Sequence, residues 1–333
     1  MKLEKPGVHL VALVCACALY AQTAAPAETA SDVARYPGKA VRLVIGFTAG
    51  GAADVQARIV AQALSESLGQ QVLPDNRPGQ DAIVGTAYVA RSAPDGYTLA
   101  YVTAGHAMNS ILHAKSLPYH PVRDFAPVSL VASGPLPLVV NPALPVRDLK
   151  GLIELARKRP GQLNFASAGS GGTMHLAGEL LKSEAKIDMV HVPYKGGGQA
   201  LTDVMSGQVE LAFVGAPAAM PHIRSGRLRV LAVSTRRRAA ALPEVPTVAE
   251  LGFPKFEVDA WYGVLAPRDT PAAIVNRLST EIAKCVALPR IRESFLLLGI
   301  EPVGSTPEQF TVHLQNEIAR WTPVIQRTGI RVD

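Results

Sequence analysis

The chain has 333 residues, 48% of them hydrophobic. That is ample for a sizeable core and more than a single core comfortably organises, so two domains are expected. The formal charge is +6, but the basic residues are dispersed and aromatics make up only 5%, which argues against a nucleic-acid-binding surface.

The first 27 residues differ from the rest. Lys2 and Lys5 give a positive start, an apolar run follows over 8–20 broken only by His9, and 21–27 is rich in small residues. This is the order of an export signal, and the apolar run is shorter than the roughly 20 residues a membrane span needs. Cleavage after Ala21, Ala25 or Ala27 fits equally. The Val14-Cys15-Ala16-Cys17 stretch leaves a lipoprotein as an alternative. The expected location is the periplasm. Lys2, Lys5 and Glu4 sum to +1, so +6 less +1 leaves the exported chain near +5. Its densest basic run, Arg236 to Arg238, reads as a solvated face or as a mild field steering anions inward. Only Cys285 would remain, in a helical pattern, as a buried structural thiol.

From residue 40 onward, strands alternate with glycine-rich turns and helices. A strand over 41–45 leads through Gly46 to Gly51 into a helix over 54–68 that Gly69 stops. A short strand at 71–73, a loop at Asn76 to Gly79, a helix over 83–92 and a strand over 97–103 follow. The stretch after 103 reads as irregular up to a strand at 137–141. Then come a helix over 148–159, a strand at 163–166, a turn at Ala168 to Gly172, and a helix over 173–183. A strand at 190–192, a turn from Pro193 to Gly198 and a helix over 199–206 repeat the pattern. Further strands are read at 209–213, 228–233 and 258–266. Helices over 271–286, 289–298 and 307–328 form the tail. This order predicts an α/β fold of two lobes, each a mostly parallel sheet flanked by helices. One lobe is expected from 36–136 plus 259–333 and the other from 137–258.

Three glycine-rich strand-to-helix turns are the informative feature. In open α/β sheets ligands sit beyond the carboxyl ends of the strands. There a helix N-terminus offers free N–H groups and the positive end of its dipole. Two such turns from facing lobes suffice to hold a small carboxylate without any arginine. The middle turn adds the hydroxyls of Ser167, Ser170 and Thr173. Phe47 would wall the ligand's carbon chain or pack beneath its turn. Tyr194 would donate to a carboxylate. His106 follows a strand end and is expected to face the cleft, while His175 and His191 are expected to be structural. Asp54 is read as a helix cap.

Enzyme readings are weaker. Ala168 to Gly172 is close to a nucleophile elbow around Ser170, with His191 and His222 downstream, but no oxyanion loop or acid can be assigned. The glycines complete neither a dinucleotide fingerprint nor a P-loop, and no ligand spacing suggests a metal. No cofactor is expected.

The chain resembles the substrate-binding receptors of tripartite tricarboxylate transporters, the Bug receptors, over about 36–331. The resemblance rests on Gly50-Gly-Ala-Ala-Asp54 with Ala57-Arg58, Asn76-Arg-Pro-Gly79, Ala93-Pro-Asp-Gly-Tyr-Thr-Leu99, Asp124-Phe-Ala-Pro-Val128, His191-Val-Pro-Tyr-Lys-Gly196, Leu242-Pro-Glu-Val-Pro-Thr-Val248 and Trp261-Tyr-Gly263. It implies a flytrap-like periplasmic receptor, expected as a monomer, that delivers a small carboxylate to membrane transporter subunits. A ligand sensor for a signalling partner is the alternative within binding, and a secreted hydrolase using Ser170 the alternative outside it. The resemblance carries ligand contact onto Phe47, Thr48, Ala49, Gly50 and Gly51 in the first turn. In the second turn it falls on Ser167, Ala168, Gly169 and Ser170, in the third on Tyr194, and after Val214-Gly215 on Ala216. Three positions depart from the family's pattern. Ala53 replaces a hydroxyl residue, and Gln80-Asp-Ala-Ile83 replaces a glycine-rich continuation. Gly215 stands where many members have an aspartate associated with amino or hydroxy ligands. The last departure implies a ligand without an amine.

Overall fold

The computed structural model describes residues 35–328. The export segment expected at 1–27 lies outside them.

The chain builds two sheets in turn. Strands β1 (Val41–Ile45), β2 (Val72–Asn76) and β3 (Thr98–Thr103) are linked through helices α1 (Ala52–Leu68) and α2 (Ile83–Ala90). Helix α3 (Gly105–Leu112) and strand β4 (Phe125–Pro135) follow, and a single residue, Leu136, separates β4 from β5 (Pro137–Val140). The second sheet is built from β5, α4 (Leu149–Lys158), β6 (Asn164–Ser167), α5 (Thr173–Ala185), β7 (Val190–Pro193), α6 (Gly197–Ser206), β8 (Leu211–Phe213), α7 (Ala216–Arg224) and β9 (Arg229–Val233). The chain then returns through β10 (Asp259–Pro267), α8 (Ala272–Ala287), α9 (Pro289–Leu297), β11 (Glu301–Pro302) and α10 (Pro307–Thr328).

The first sheet has the order β11-β4-β10-β3-β1-β2 and the second β7-β6-β8-β5-β9. β1 pairs parallel with β2 and β3, and β6 parallel with β7 and β8, as strand–helix–strand units require. β10 pairs antiparallel with both neighbours, and so does β5. β10 and β5 are each formed just after the chain changes sheet, and the two-residue edge strand β11 also runs against its neighbour β4. Most strands of each sheet still share one direction, and the helices flank both sheets in a two-lobed α/β fold.

Four elements went unread in the sequence, α3, β4, α7 and β11, two of them for the same reason. β4 contains Pro127 and Gly134, and α7 contains Pro217 and Pro221. Proline removes a backbone donor, so neither stretch shows a clean period. Pro217 sits in the first turn of α7, where the lost N–H has no helical partner anyway.

The two chain crossings are tied to each other. The Ser234 hydroxyl donates to the carbonyl of Val258, just before β10, and accepts from the N–H of Leu136, just after β4. Ser234 is fully buried, so one side chain holds both crossing segments together.

The C-terminal helix α10 packs on β4 and α3. Its Glu317 accepts from the indole N–H of Trp261 at 3.0 Å and of Trp321 at 3.3 Å, and it pairs with Arg320 at 3.2 Å. Both tryptophans are buried. Cys285 is buried on α8, where desolvation raises its thiol pKa, in keeping with a structural role. Among the described residues no helix is long and apolar enough to cross a membrane.

Glu317→Ala should leave two buried indole donors without an acceptor, a loss of about 2–4 kcal/mol. Glu317→Gln, which keeps a carbonyl oxygen, should lose less. Urea unfolding of the two variants checks this; equal midpoints for Ala and wild type would contradict it.

Candidate functional site

A cavity of about 70 Å³ lies where the two sheets face each other. At about 10–15 Å³ per enclosed water it has room for roughly five waters, or for a small organic molecule. Its walls come from the segments after β1, β2 and β3 on one side and after β6, β7 and β8 on the other, with Leu136 and Ala260 to Tyr262 of the crossings as its floor. This is the position in which open α/β sheets bind ligands.

Four glycine-capped helices begin at this cavity. The N-caps of α1, α5, α6 and α7 are Gly51, Gly172, Gly196 and Gly215, and none makes a side-chain cap hydrogen bond. Helix α4 provides the contrast: its N-cap Asp148 accepts from the Gly151 N–H at 2.7 Å. A helix N-terminus has backbone donors with no partner inside the helix, together with the positive end of the dipole. Glycine caps leave those donors open and let a ligand approach the backbone. None of the wall residues is a lysine, arginine or histidine.

The local sequence fixes the first turn. Asp54 lies in the first turn of α1 and accepts from the Gly50 N–H at 3.0 Å, from Arg58, and from Asn76 at 2.9 Å. Asn76 also donates to the carbonyl of Phe47. Burial pushes the Asp54 carboxyl up, but these bonds outweigh it and its pKa is lowered. Asp54 therefore holds the turn from beneath, and its charge is already partnered.

The lobes meet closely around the cavity. A Cβ on Gly215 would stand 2.5 Å from the Ala52 Cβ and 3.1 Å from the Tyr262 hydroxyl. Beside the cavity, a Cβ on Gly196 would collide with the Thr48 hydroxyl.

Of the residues expected from sequence to touch ligand, Phe47, Gly51, Ala168 and Thr173 line the cavity. Thr48, Ala49 and Gly50 are not among its wall residues and lie against Gly196 and Gly198 of the segment that builds the second sheet. Gly169 is next to Asp81, and Ser170 is half-buried outside the wall. Ala216 is fully buried behind Gly215 and beside Gly299.

Three others are engaged elsewhere. Ser167 is buried, donates to the Gly169 carbonyl at 2.8 Å and lies 2.6 Å from His191 Nε2. The Tyr194 hydroxyl donates to Asp203 at 2.6 Å. His106, expected to face the cleft, does not line it. Its Nε2 donates to the Pro121 carbonyl at 2.8 Å, and its ring stacks on Tyr119 and meets Phe125 edge-on.

The hydrolase geometry is not assembled at Ser170. His191 bonds Ser167 instead, and His222 bonds Arg227 on an exposed part of α7. The single hydroxyl proton of Ser167 is committed to Gly169, so His191 acts as donor to that hydroxyl, the reverse of a general base. His191 also stacks on His175 at 3.7 Å between ring centres, and His175 Nδ1 accepts from the Gly171 N–H. Together these rings brace the second turn.

Sequence reading missed one wall residue with strong chemistry, Asp81. It lies in the stretch noted only for lacking glycines. Gln80, Asp81 and Ala82 have φ of 46°, 48° and 71°, a left-handed run that non-glycine residues adopt at a cost of roughly 1–2 kcal/mol each. Asp81 is 8% exposed and its Oδ2 has no hydrogen-bond partner. Burial pushes its carboxyl up to about 7.

The site defines a binding protein of the two-lobed periplasmic class, and comparisons with known proteins agree. The family model for the tripartite tricarboxylate transporter family receptor matches residues 56–330, and the chain belongs to that family. Protein BugT of Bordetella pertussis is 39% identical over 300 residues, 89% of this chain and 91% of BugT. The "UPF0065 protein in tcbD-tcbE intergenic region" of a Pseudomonas species is 40% identical over 291 residues, 87% of this chain and 86% of that protein. Two solved structures are similar. Rpa4515 of R. palustris with adipate has a TM-score of 0.86 at 38% identity, covering 89% of this chain and 99% of that one. MatC of Rhodopseudomonas palustris with bound malate has a TM-score of 0.83 at 31% identity, covering 87% and 100%.

Two outcomes follow from the geometry. Gly215→Ala should obstruct closure against Ala52 and weaken ligand binding at least tenfold in calorimetric titration, with little change in ligand-free stability; unchanged affinity would contradict it. The second concerns pH. Burial lowers the pKa of His106 to about 4 and of His175 to about 3, against an ordinary 6.5. Below pH 6.5 the unfolded chain takes up protons that the folded one refuses, so stability is lost as pH falls from 6.5 toward these values. At pH 5 each histidine should account for about 2 kcal/mol of that loss. The buried Asp81 carboxyl, pushed up to about 7, gains stability over the same range and opposes this loss. The histidine share is therefore read by comparing variants. His106→Gln should shift the urea midpoint difference between pH 7 and pH 5 by about its own share relative to wild type, and an unchanged difference would contradict this.

Proposed function

We propose that the chain is a periplasmic receptor that encloses a small organic carboxylate between its lobes and delivers it to the membrane subunits of a tripartite tricarboxylate transporter. The lobes are taken as 36–136 with 259–333, and 137–258. The observation that carries the reading is the meeting of four helix N-termini, each capped by glycine alone, around a cavity with no cationic side chain in its wall.

Backbone N–H groups supply the charge complement. A bond from such a donor to an ionised carboxylate contributes roughly 1.5–3 kcal/mol, so a few of them, enclosed away from water, suffice for a receptor's affinity. Phe47, Leu136 and Trp261 supply the apolar wall for a carbon chain. The bound adipate and malate of Rpa4515 and MatC support a carboxylate here. The ligand leaves unchanged in this account, since Ser170 lacks a base and its neighbouring serine is already bonded. The export segment at 1–27 would bring the chain to the periplasm.

A panel of small carboxylates in thermal-shift and calorimetric titration tests the reading. A true ligand at one hundred times its Kd should stabilise the protein by about 2.7 kcal/mol and be recovered unaltered. Ala53, buried in the first turn of α1 at the cavity wall, offers a sharper check. Ala53→Asp should weaken carboxylate binding at least tenfold, because it puts a like charge at the helix start where the ligand's carboxylate would lie, with circular dichroism checking that the variant folds. No response to any carboxylate, or binding unchanged in Ala53→Asp, would sink the reading.

A further inference from the structure

We propose that Asp81 selects the solute: the ligand is a small zwitterion whose carboxylate lies at the helix N-termini and whose ammonium group pairs with Asp81. This rests on the carboxylate-receptor reading above and narrows it.

The carboxylate is unusual in three ways that point to a missing partner. It belongs to the cavity wall and is the only acidic side chain there. It is more than nine-tenths buried, and its Oδ2 has no hydrogen-bond partner. The other aspartate buried among the described residues, Asp54, accepts from a backbone N–H, an arginine and an asparagine. Polar groups removed from water are normally bonded, and an ionised carboxylate without a cation is among the least tolerated of them.

The surroundings are shaped to the carboxylate. A Cβ on Gly105 would stand 2.5 Å from Oδ2, and one on Gly172 would stand 2.6 Å from Oδ1. Glycines at both positions, one from each lobe, leave space for this side chain. The Asn109 amide donates to the Asp81 carbonyl at 3.0 Å, which holds the left-handed loop in place. That loop would be relieved by glycine, so an aspartate there carries a backbone penalty as well as a buried charge. A cation on the ligand would partner that charge, and the contact gives a reason for an acid to stand at a position that costs the backbone.

Charge pattern gives the ligand class. The cavity has open backbone donors from the helix starts and one carboxylate, with no cationic side chain. A dicarboxylate would bring a second negative charge toward Asp81. A molecule with a carboxylate at one end and an ammonium at the other matches both poles. Burial pushes the Asp81 carboxyl up to about 7; an adjacent ammonium favours its ionised form. An acid at Asp81 also replaces the inference drawn from Gly215, because the aspartate absent from one lobe is matched by one entering from the other.

The test is calorimetric titration of the full exported chain and of Asp81→Asn and Asp81→Gly. The probes are α- and ω-amino acids of three to five carbons and the dicarboxylates of the same carbon number. Both variants should fold with melting temperatures at or above wild type, since Asn and Gly accept the left-handed φ and remove the buried charge. Wild type should bind at least one amino acid tenfold or more tighter than its matched dicarboxylate, and both variants should lose that preference. A wild type that prefers dicarboxylates, or variants that keep the amino-acid preference, would overturn the assignment. Dicarboxylate binding alone in all three proteins would leave the receptor reading standing without Asp81. No carboxylate of either kind bound by any of the three would remove both.

Discussion

Positive potential supplied by backbone, rather than by side chains, is the constraint around which this molecule is organised. Each helix N-terminus has donors that its own helix cannot satisfy. On the surface helix α4 an aspartate satisfies one of them. At the cavity Gly51, Gly172, Gly196 and Gly215 leave them open. The strand order brings these four starts together, because each follows the carboxyl end of a strand in one of two facing sheets. An anion is the natural complement of that arrangement.

The same glycines set how closely the lobes approach. Gly215 lies against Ala52, and Gly196 against Thr48. A side chain at either position would hold the lobes apart. The hinge below is correspondingly economical, with Ser234 bonding the residues at both crossings, and the floor strand β10 anchored through Trp261 to Glu317 of the last helix. Buried and bonded groups thus make the floor and the turns stiff, while the contacts across the mouth are small and apolar or weakly polar. Such a pattern suits a cleft that opens at the rim and pivots at the base.

Much of this was legible in the sequence, for identifiable reasons. β1 and α1 are marked by an apolar strand, a glycine turn and the stop at Gly69, whose φ of 67° closes the helix. The three glycine turns were visible as turns, and their chemistry followed from what a helix start offers. The proline-bearing β4 and α7 were not legible, since tertiary pairing and the start of a helix hide what proline removes. Side-chain direction was the other limit. His106 follows a strand end yet turns into an aromatic cluster. Tyr194 opens a glycine turn yet reaches over the helix that follows to Asp203. Asp81 shows the opposite error: reading the loop for absent glycines obscured the carboxylate that took their place.

A crystal structure of the exported chain with a bound small carboxylate tests the central claim most directly. The account predicts carboxylate oxygens within hydrogen-bond distance of backbone N–H groups at the starts of α1, α5 or α6, with no arginine or lysine in contact. A carboxylate held by a cationic side chain, or seated away from the four glycine-capped helix starts, would contradict it.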